Sequence, residues 1–282
     1  ARKRRELPVF ENVEIIDVAA EGNSIARVND LVVFIPYGAP GDIVDVKIRK
    51  KKKSFAEGFI TNFQKRSDIR KEPICEHFGI CGGCRWQHLP YKFQLQCKQQ
   101  QVKDALERIA KVKIPEIRPI LGSNNIWEYR NKMEYTFSNK KWLTFEQMKS
   151  EEIFPDRNAV GFHISGAFDK VLDIKKCYLQ DDFGNQLRLF IKEFGKQNGY
   201  SFYDLKAQAG LLRTLMIRIA STGEIMAVMV FGENDSKKIK LLLESIRDKF
   251  PQITSLLYVV NLKVNDTISD QEIITFSGKD YI

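Results

Sequence analysis

Residues 31–48 read LVVFIPYGAPGDIVDVKI, two runs of alternating apolar residues parted by the turn Pro36-Tyr37-Gly38-Ala39-Pro40-Gly41-Asp42. Alternation with a period of two marks half-buried strands, and proline and glycine supply the backbone angles that a tight turn needs. Working outward, VFENVEIIDVAA and SIARV precede this pair, with Glu21-Gly22-Asn23 as a turn between them, and SFAEGFITNF follows it. Five short strands in this space predict a small closed barrel of the OB type, because closure removes exposed strand edges. The run Arg49, Lys50, Lys51, Lys52 and Lys53 falls between the last two strands, at a hairpin tip suited to phosphates.

Beyond the barrel stands the segment CEHFGICGGC, in which Cys75, Cys81 and Cys84 are spaced C-x5-C-x2-C; a further cysteine, Cys177, lies far downstream in DIKKCYLQ. Thiolates converging from two segments are a pattern for a tetrahedral metal or an iron–sulfur cluster, and the spacing alone allows either zinc or a cluster. Five cysteines, an odd number with three inside ten residues, argue against a secreted disulfide framework and for metal ligation in a reducing compartment.

After Pro90 the segment from Tyr91 to Ile109 places Leu95, Val102, Leu106 and Ile109 on one stripe and predicts an amphipathic helix, with Cys97 nearly opposite. That position leaves Cys97 out of the ligand set, and QCKQQQ offers no general base that would make it a nucleophile. From residue 114 the pattern is mixed. Strands are expected at EIRPIL, RNKMEYTFS, KWLTFE, AVGFHI, TLMIRIA, EIMAVMVF, ITSLLYVV and EIITFS, with helices near 181–198 and 235–249, giving an α+β sheet domain.

The chain of 282 residues carries a net charge of +9, and the excess is uneven. Residues 1–113 hold 22 Lys and Arg against 14 Asp and Glu, whereas residues 114–282 hold 23 against 22. A basic first part joined to a neutral second part points to a polyanionic partner for the first. No apolar run approaches bilayer length, and the start ARKRRELP lacks the apolar core of a secretory signal, so the expected compartment is the cytoplasm.

Four segments carry a resemblance to the RumA-like family of RNA (uracil-5-)-methyltransferases, which modify 23S ribosomal RNA. DVAAEGNSIARV and VVFIPYGAPGDIVDVKI resemble a TRAM domain, an RNA-binding OB-like module. CEHFGICGGCRWQHLPYKFQLQCKQQQV resembles the iron–sulfur motif, WEYRNKMEYTFS the strand after the linker helix, and VGFHISGAFDKVLDIKKCYL the segment with the distant cluster ligand. The implied organisation is a basic tail (1–7), a TRAM barrel (8–65), an iron–sulfur loop (66–90), a linker helix (91–113) and a central α+β domain (114–282). The implied metal centre is a [4Fe-4S] cluster on Cys75, Cys81, Cys84 and Cys177, with zinc as the alternative. A cluster held by all four thiolates has no open iron, and its implied role is to staple the loop to the central domain. The radical type of methionine-cofactor enzyme typically spaces its cysteines C-x3-C-x2-C, which differs here.

Family members continue into a Rossmann-like domain that binds S-adenosylmethionine and holds the catalytic cysteine and base. The sequence stops at SGKDYI, with no glycine-rich strand-to-helix turn, so the expectation is that this domain is absent and that no catalytic or cofactor-binding residue lies in the chain. The chain is accordingly expected to be the RNA-recognition portion of a 23S ribosomal RNA uridine C5-methyltransferase, monomeric, remote from membranes and inactive alone. The alternative is a non-catalytic RNA-binding adaptor with structural zinc or a redox-sensing cluster. Besides Arg49–Lys53, the candidate RNA contacts are Arg85 and Trp86, which can stack on unpaired bases, and Arg130, Asn131 and Lys132 at the opening of a strand. Trp86 equally suits an apolar cover for the cysteine loop, and the strand-end trio suits salt bridges. His163, on an alternating strand, reads as structural.

Overall fold

In a computed structural model, residues 7–150 and 154–282 are described; six residues of the expected basic tail, 1–6, lie outside them. The chain divides into two compact units, Ala1–Asn124 and Asn125–Ile282. No helix among the described residues is long and apolar enough to cross a membrane.

The first unit opens with strands β1 (Val9–Val18), β2 (Asn23–Val28), β3 (Leu31–Pro36), β4 (Ile43–Lys51) and β5 (Phe55–Lys65). They close into a barrel in the order β1-β2-β3-β5-β4, antiparallel except for the β3–β5 pair. Alternation sends Val13, Ile15, Ala26, Val33, Ile35, Val44, Val46, Ile48 and Ala56 into one buried core. A bulge at Asn12, where φ is 53°, bends β1 around the barrel, and the Asn12 N–H donates to Asp45 at 3.0 Å.

The turn between β3 and β4 is fastened by a buried ion pair. Asp42 is wholly buried, and its two carboxylate oxygens accept from Nε and Nη2 of Arg70 at 2.6–3.0 Å, from the Ala39 N–H at 2.6 Å and from the Ser67 N–H at 2.9 Å. Arg70 Nη2 also donates to the Tyr37 carbonyl at 2.7 Å. Burial by itself pushes the Asp42 carboxyl up, but the hydrogen bonds from Arg70, Ser67 and Ala39 outweigh it and hold the group below its ordinary range.

This pair ties the barrel turn to the chain just after β5, and the cysteine-rich segment packs on the same turn. His88 Nε2 lies 2.9 Å from the Gly38 carbonyl, and the Phe78 ring contacts both Tyr37 (5.3 Å between centroids) and His88 (5.5 Å). Helix α1 (Tyr91–Asp104) follows and runs into a single wide turn, Ala105–Ile109. Here the amphipathic stripe is corrected. Val102, Leu106 and Ile109 are exposed, and the buried residue of α1 is Cys97, which packs with Val18, Ala39 and Leu89. The helix docks through its N-terminal half, where Gln94 Nε2 donates to the Trp86 and Leu89 carbonyls at 3.0 and 2.9 Å.

The second unit is built on a seven-stranded sheet comprising β6 (Lys132–Ser138), β7 (Ala159–Ile164), β8 (Ala167–Asp173), β9 (Leu212–Ile219), β10 (Ile225–Phe231), β11 (Ser255–Val260) and β12 (Ile274–Gly278). Its order is β12-β11-β10-β9-β6-β7-β8, and only β10–β11 is parallel. Two strand expectations are corrected. Residues 116–121 form no strand, and within KWLTFE only Lys141 makes an isolated bridge before helix α2 (Phe145–Lys149) begins. The cause is a capping box: the Thr144 hydroxyl accepts from the Gln147 N–H at 3.1 Å while the Gln147 side chain accepts from the Thr144 N–H at 2.9 Å. Strand β8 was not expected, because its charged Asp169, Lys170 and Asp173 mask the alternation.

Helices α3 (Asp182–Gln197) and α4 (Ser236–Lys249) supply Leu187, Ile191, Leu242, Leu243 and Ile246 to the main core, with Tyr135, Phe137, Leu215 and Phe231 from the sheet. Each has an aspartate N-cap, Asp181 accepting from the Phe183 N–H and Asp235 from the Lys238 N–H.

The Asp42–Arg70 pair yields a prediction. Asp42→Ala leaves a guanidinium half-buried without its partner and should cost about 3–5 kcal/mol in denaturant unfolding. Because the folded-state carboxyl is lowered, its contribution is complete above the unfolded value near about pH 4 and disappears as pH falls through the lower folded value. Wild type should therefore lose part of its margin over the variant in acid, and a margin independent of pH would refute the assignment.

Candidate nucleic-acid interface and cysteine loop

The hairpin cations are arranged unequally. Arg49, Lys50 and Lys51 lie on β4, and Lys52 and Lys53 form the tip with Ser54, the Lys52 N–H donating to the Phe55 carbonyl at 2.8 Å. Register places Lys50 opposite Glu57, whose carboxylate binds Lys50 at 2.8 Å and Arg49 at 3.4 Å and is held below its ordinary range, first by the Lys50 hydrogen bond. Lys50 and Lys52 also stand over the Phe55 ring at 5.8 and 5.4 Å. All five cations of the run are exposed, and one glutamate offsets part of their charge.

In the cysteine loop, Cys75, Cys81 and Cys84 are all half-buried. The Gly83 N–H points at Cys81 Sγ at 3.4 Å, and Gly82 sits at φ +75°, a conformation that a side chain resists. Cys81 and Cys84 act on one neighbour: burial pushes the Tyr37 hydroxyl up, Arg85 draws it down, and these two thiols push it up again. Amide donors to sulfur are what thiolate ligands of a cluster use, so this loop fits such a group chemically. Among the described residues, however, no three His, Cys, Asp or Glu side chains are gathered as a metal-holding group.

Cys177 belongs to the second unit. Asn185 clasps its backbone from both sides, accepting from the Cys177 N–H at 2.8 Å and donating to the Cys177 carbonyl at 3.0 Å. Beside it the fully buried Arg188 donates to the carbonyls of Ile174 and Lys175 and stands over the Tyr135 ring at 5.2 Å. Burial, then Cys177, pushes the Tyr135 hydroxyl up to about 12 against the pull of Arg188.

Arg85 is exposed and Trp86 half-buried; with Glu21 and Gly83 they line an open cleft of about 470 Å³. The Trp86 indole packs against Val18, Ala39, Leu89 and Cys97, so it joins the cover of the loop as well as the wall of the cleft. Arg130, Asn131 and Lys132 lie in the second unit with exposed side chains. Their backbones serve the sheet, the Arg130 N–H donating to the Leu179 carbonyl and the Asn131 carbonyl accepting from Ile219, and Lys132 pairs with Glu134 at 3.6 Å. His163 is exposed on β7. The Cys97 thiol is pushed up to about 11, chiefly by burial and then by Asp17, the opposite of what a nucleophile needs.

Sequence reasoning missed Glu21, Glu57 and Asp42. Glu57 becomes legible only from the β4–β5 register, and Asp42 only from the return of Arg70 onto the turn.

Residues 11–61, the barrel, match the TRAM domain family. Over 268 residues the chain is 50% identical to a protein of Bacteroides thetaiotaomicron named as an uncharacterized RNA methyltransferase, an alignment covering 94% of this chain and 59% of that protein. A Porphyromonas gingivalis protein of the same name is 51% identical over 275 residues, covering 96% and 59%. The chain thus carries a TRAM barrel and is similar over nearly its whole length to proteins named as RNA methyltransferases. It spans about three fifths of the length of these relatives. Its fold is that of the Pyrococcus abyssi tRNA (uracil-54, C5)-methyltransferase, solved in complex with S-adenosyl-L-homocysteine: TM-score 0.61 at 22% identity over 96% of this chain and 56% of that one.

These matches correct two expectations. The Pyrococcus likeness runs through the seven-stranded sheet, so the sheet has its counterpart inside a methyltransferase, and the expectation of a fold from which methyltransferase structure is absent does not stand. The two bacterial relatives align with nearly the whole chain and carry the name of the enzyme, which corrects the reading of the chain as only an RNA-recognition portion.

Proposed function

We infer that the protein methylates uracil at C5 in RNA, with ribosomal RNA as substrate and S-adenosylmethionine as methyl donor, acting as a cytoplasmic monomer. The observation that carries the reading is the alignment of almost the whole chain with proteins named as RNA methyltransferases, on a TRAM barrel whose basic hairpin is exposed. The methyl donor supplies the methyl group when bound. For the RNA, Lys51, Lys52 and Lys53 meet phosphates, Arg49 and Lys50 contribute less because Glu57 engages them, and Arg85, Trp86, Arg130, Asn131 and Lys132 face unpaired nucleotides. A target uracil must leave its stack for chemistry at C5, at a cost of a few kcal/mol that such contacts offset.

Cys75, Cys81, Cys84 and Cys177 are the residues that would hold a [4Fe-4S] cluster, with zinc as the alternative. Their spacing and the amide-lined Cys81–Gly83 turn support this. The group would be structural, since four thiolates leave no open iron to offer a substrate.

Two outcomes are expected. The protein, given tritiated methyl donor and either ribosomal or transfer RNA transcripts, should produce 5-methyluridine in the ribosomal transcript. Label in transfer RNA alone would move the substrate, and no label in either would reject the activity. Anaerobic purification should yield iron and sulfide in equal amounts, lost when Cys84→Ser removes a thiolate; zinc without sulfide would replace the cluster.

A further inference from the structure

The cleft beside the cysteine loop has a composition that hairpin electrostatics does not use. It brings together one carboxylate (Glu21), one guanidinium (Arg85), one indole (Trp86) and a glycine (Gly83), all within the first unit. Each of the two charged residues is exposed, and among the described residues neither is engaged in an ion pair or side-chain hydrogen bond. An acid is out of place on a surface that only grips phosphates, since it repels them.

The backbone also holds the acid deliberately. Glu21 has φ +60° inside the turn Ala20–Gly22, a left-handed conformation uncommon for a residue with a side chain. The next residue, Gly22 at φ +76°, leaves no room for a Cβ, which would lie 2.9 Å from Trp86 Nε1 and 3.0 Å from Arg85 Cβ. The turn before β2 is therefore pressed directly onto Arg85 and Trp86, and the strained residue is the one that presents the carboxylate to the cleft. An observed outlier of this kind points to a functional demand on its side chain.

Resting on the reading of the protein as RNA-binding, the geometry points to a pocket for an unpaired guanine. The two oxygens of Glu21 accept from N1–H and the exocyclic N2 amine on the Watson–Crick edge, the donor pair that only guanine offers. Trp86 provides a stacking wall, and Arg85 is a donor for O6 or N7. A volume of about 470 Å³ leaves room for one base and its sugar. Adenine places an acceptor at N1 against the carboxylate, and uracil and cytosine lack the paired donors.

The test is equilibrium binding of the full chain to short oligouridines carrying one central guanosine, inosine, adenosine or cytidine. Inosine keeps N1–H but lacks the N2 amine. Guanosine should bind about tenfold more tightly than inosine, the discrimination of a bidentate contact, and more tightly still than adenosine. Glu21→Gln, a change at an exposed position, should bring guanosine and inosine within about twofold while preserving affinity for plain oligouridine. Arg85→Ala should lower guanosine affinity and leave the guanosine-to-inosine ratio above unity. Equal affinity of wild type for all four oligonucleotides, or a guanosine preference that survives Glu21→Gln, overturns the pocket and leaves the RNA-binding reading standing. Failure to bind any oligonucleotide overturns both.

Discussion

The first unit depends on a buried carboxylate satisfied from three directions. Asp42 ends the turn between two barrel strands, and Arg70, five residues past β5, returns to it with two nitrogens while giving one of them also to the Tyr37 carbonyl. Without Arg70 the turn would bury a charge with only backbone donors, and without Asp42 the chain leaving the barrel would have no reason to come back. Once the turn is fixed, its Tyr37 and Gly38 offer a ring and a carbonyl on which Phe78 and His88 settle. His88, drawn below its ordinary range chiefly by burial, is neutral there. The cysteine loop has little apolar core of its own, so its placement follows from this docking.

Function follows from that placement. The hairpin is an exposed cluster of cations of the kind that any polyanion satisfies, and Glu57 moderates it. The cleft at Glu21, Arg85 and Trp86 is different in kind, because a carboxylate and an indole discriminate between bases and contribute nothing to phosphate attraction. Separating grip from choice in this way is a general division in nucleic-acid recognition.

Much of the barrel was legible, because a period of two with proline and glycine between runs has few other solutions. The helix after Pro90 was legible as a helix but not in its orientation. Its apolar stripe suggested burial of Val102, Leu106 and Ile109, and the docking of Gln94 on the loop carbonyls turned Cys97 inward instead. Residues 141–146 failed as a strand because Thr144 and Gln147 form a capping box, a local signal overlooked beside the aromatic alternation. The cysteine spacing was visible at once. The acids that shape the interface were not, since Glu21 and Glu57 acquire meaning only from a turn conformation and from strand register. The likeness of the second unit's sheet to part of the Pyrococcus structure was also beyond pattern reading, because no glycine-rich turn or other short motif announces it.

The claim that the Asp42–Arg70 pair positions the cysteine loop is tested most directly by amide hydrogen exchange of the Arg70→Ala protein. Exchange is predicted to accelerate together in residues 37–42 and 67–89, while the paired amides of β4 and β5 remain protected. Unchanged protection of residues 67–89 would contradict the account, as would loss of protection across the whole barrel.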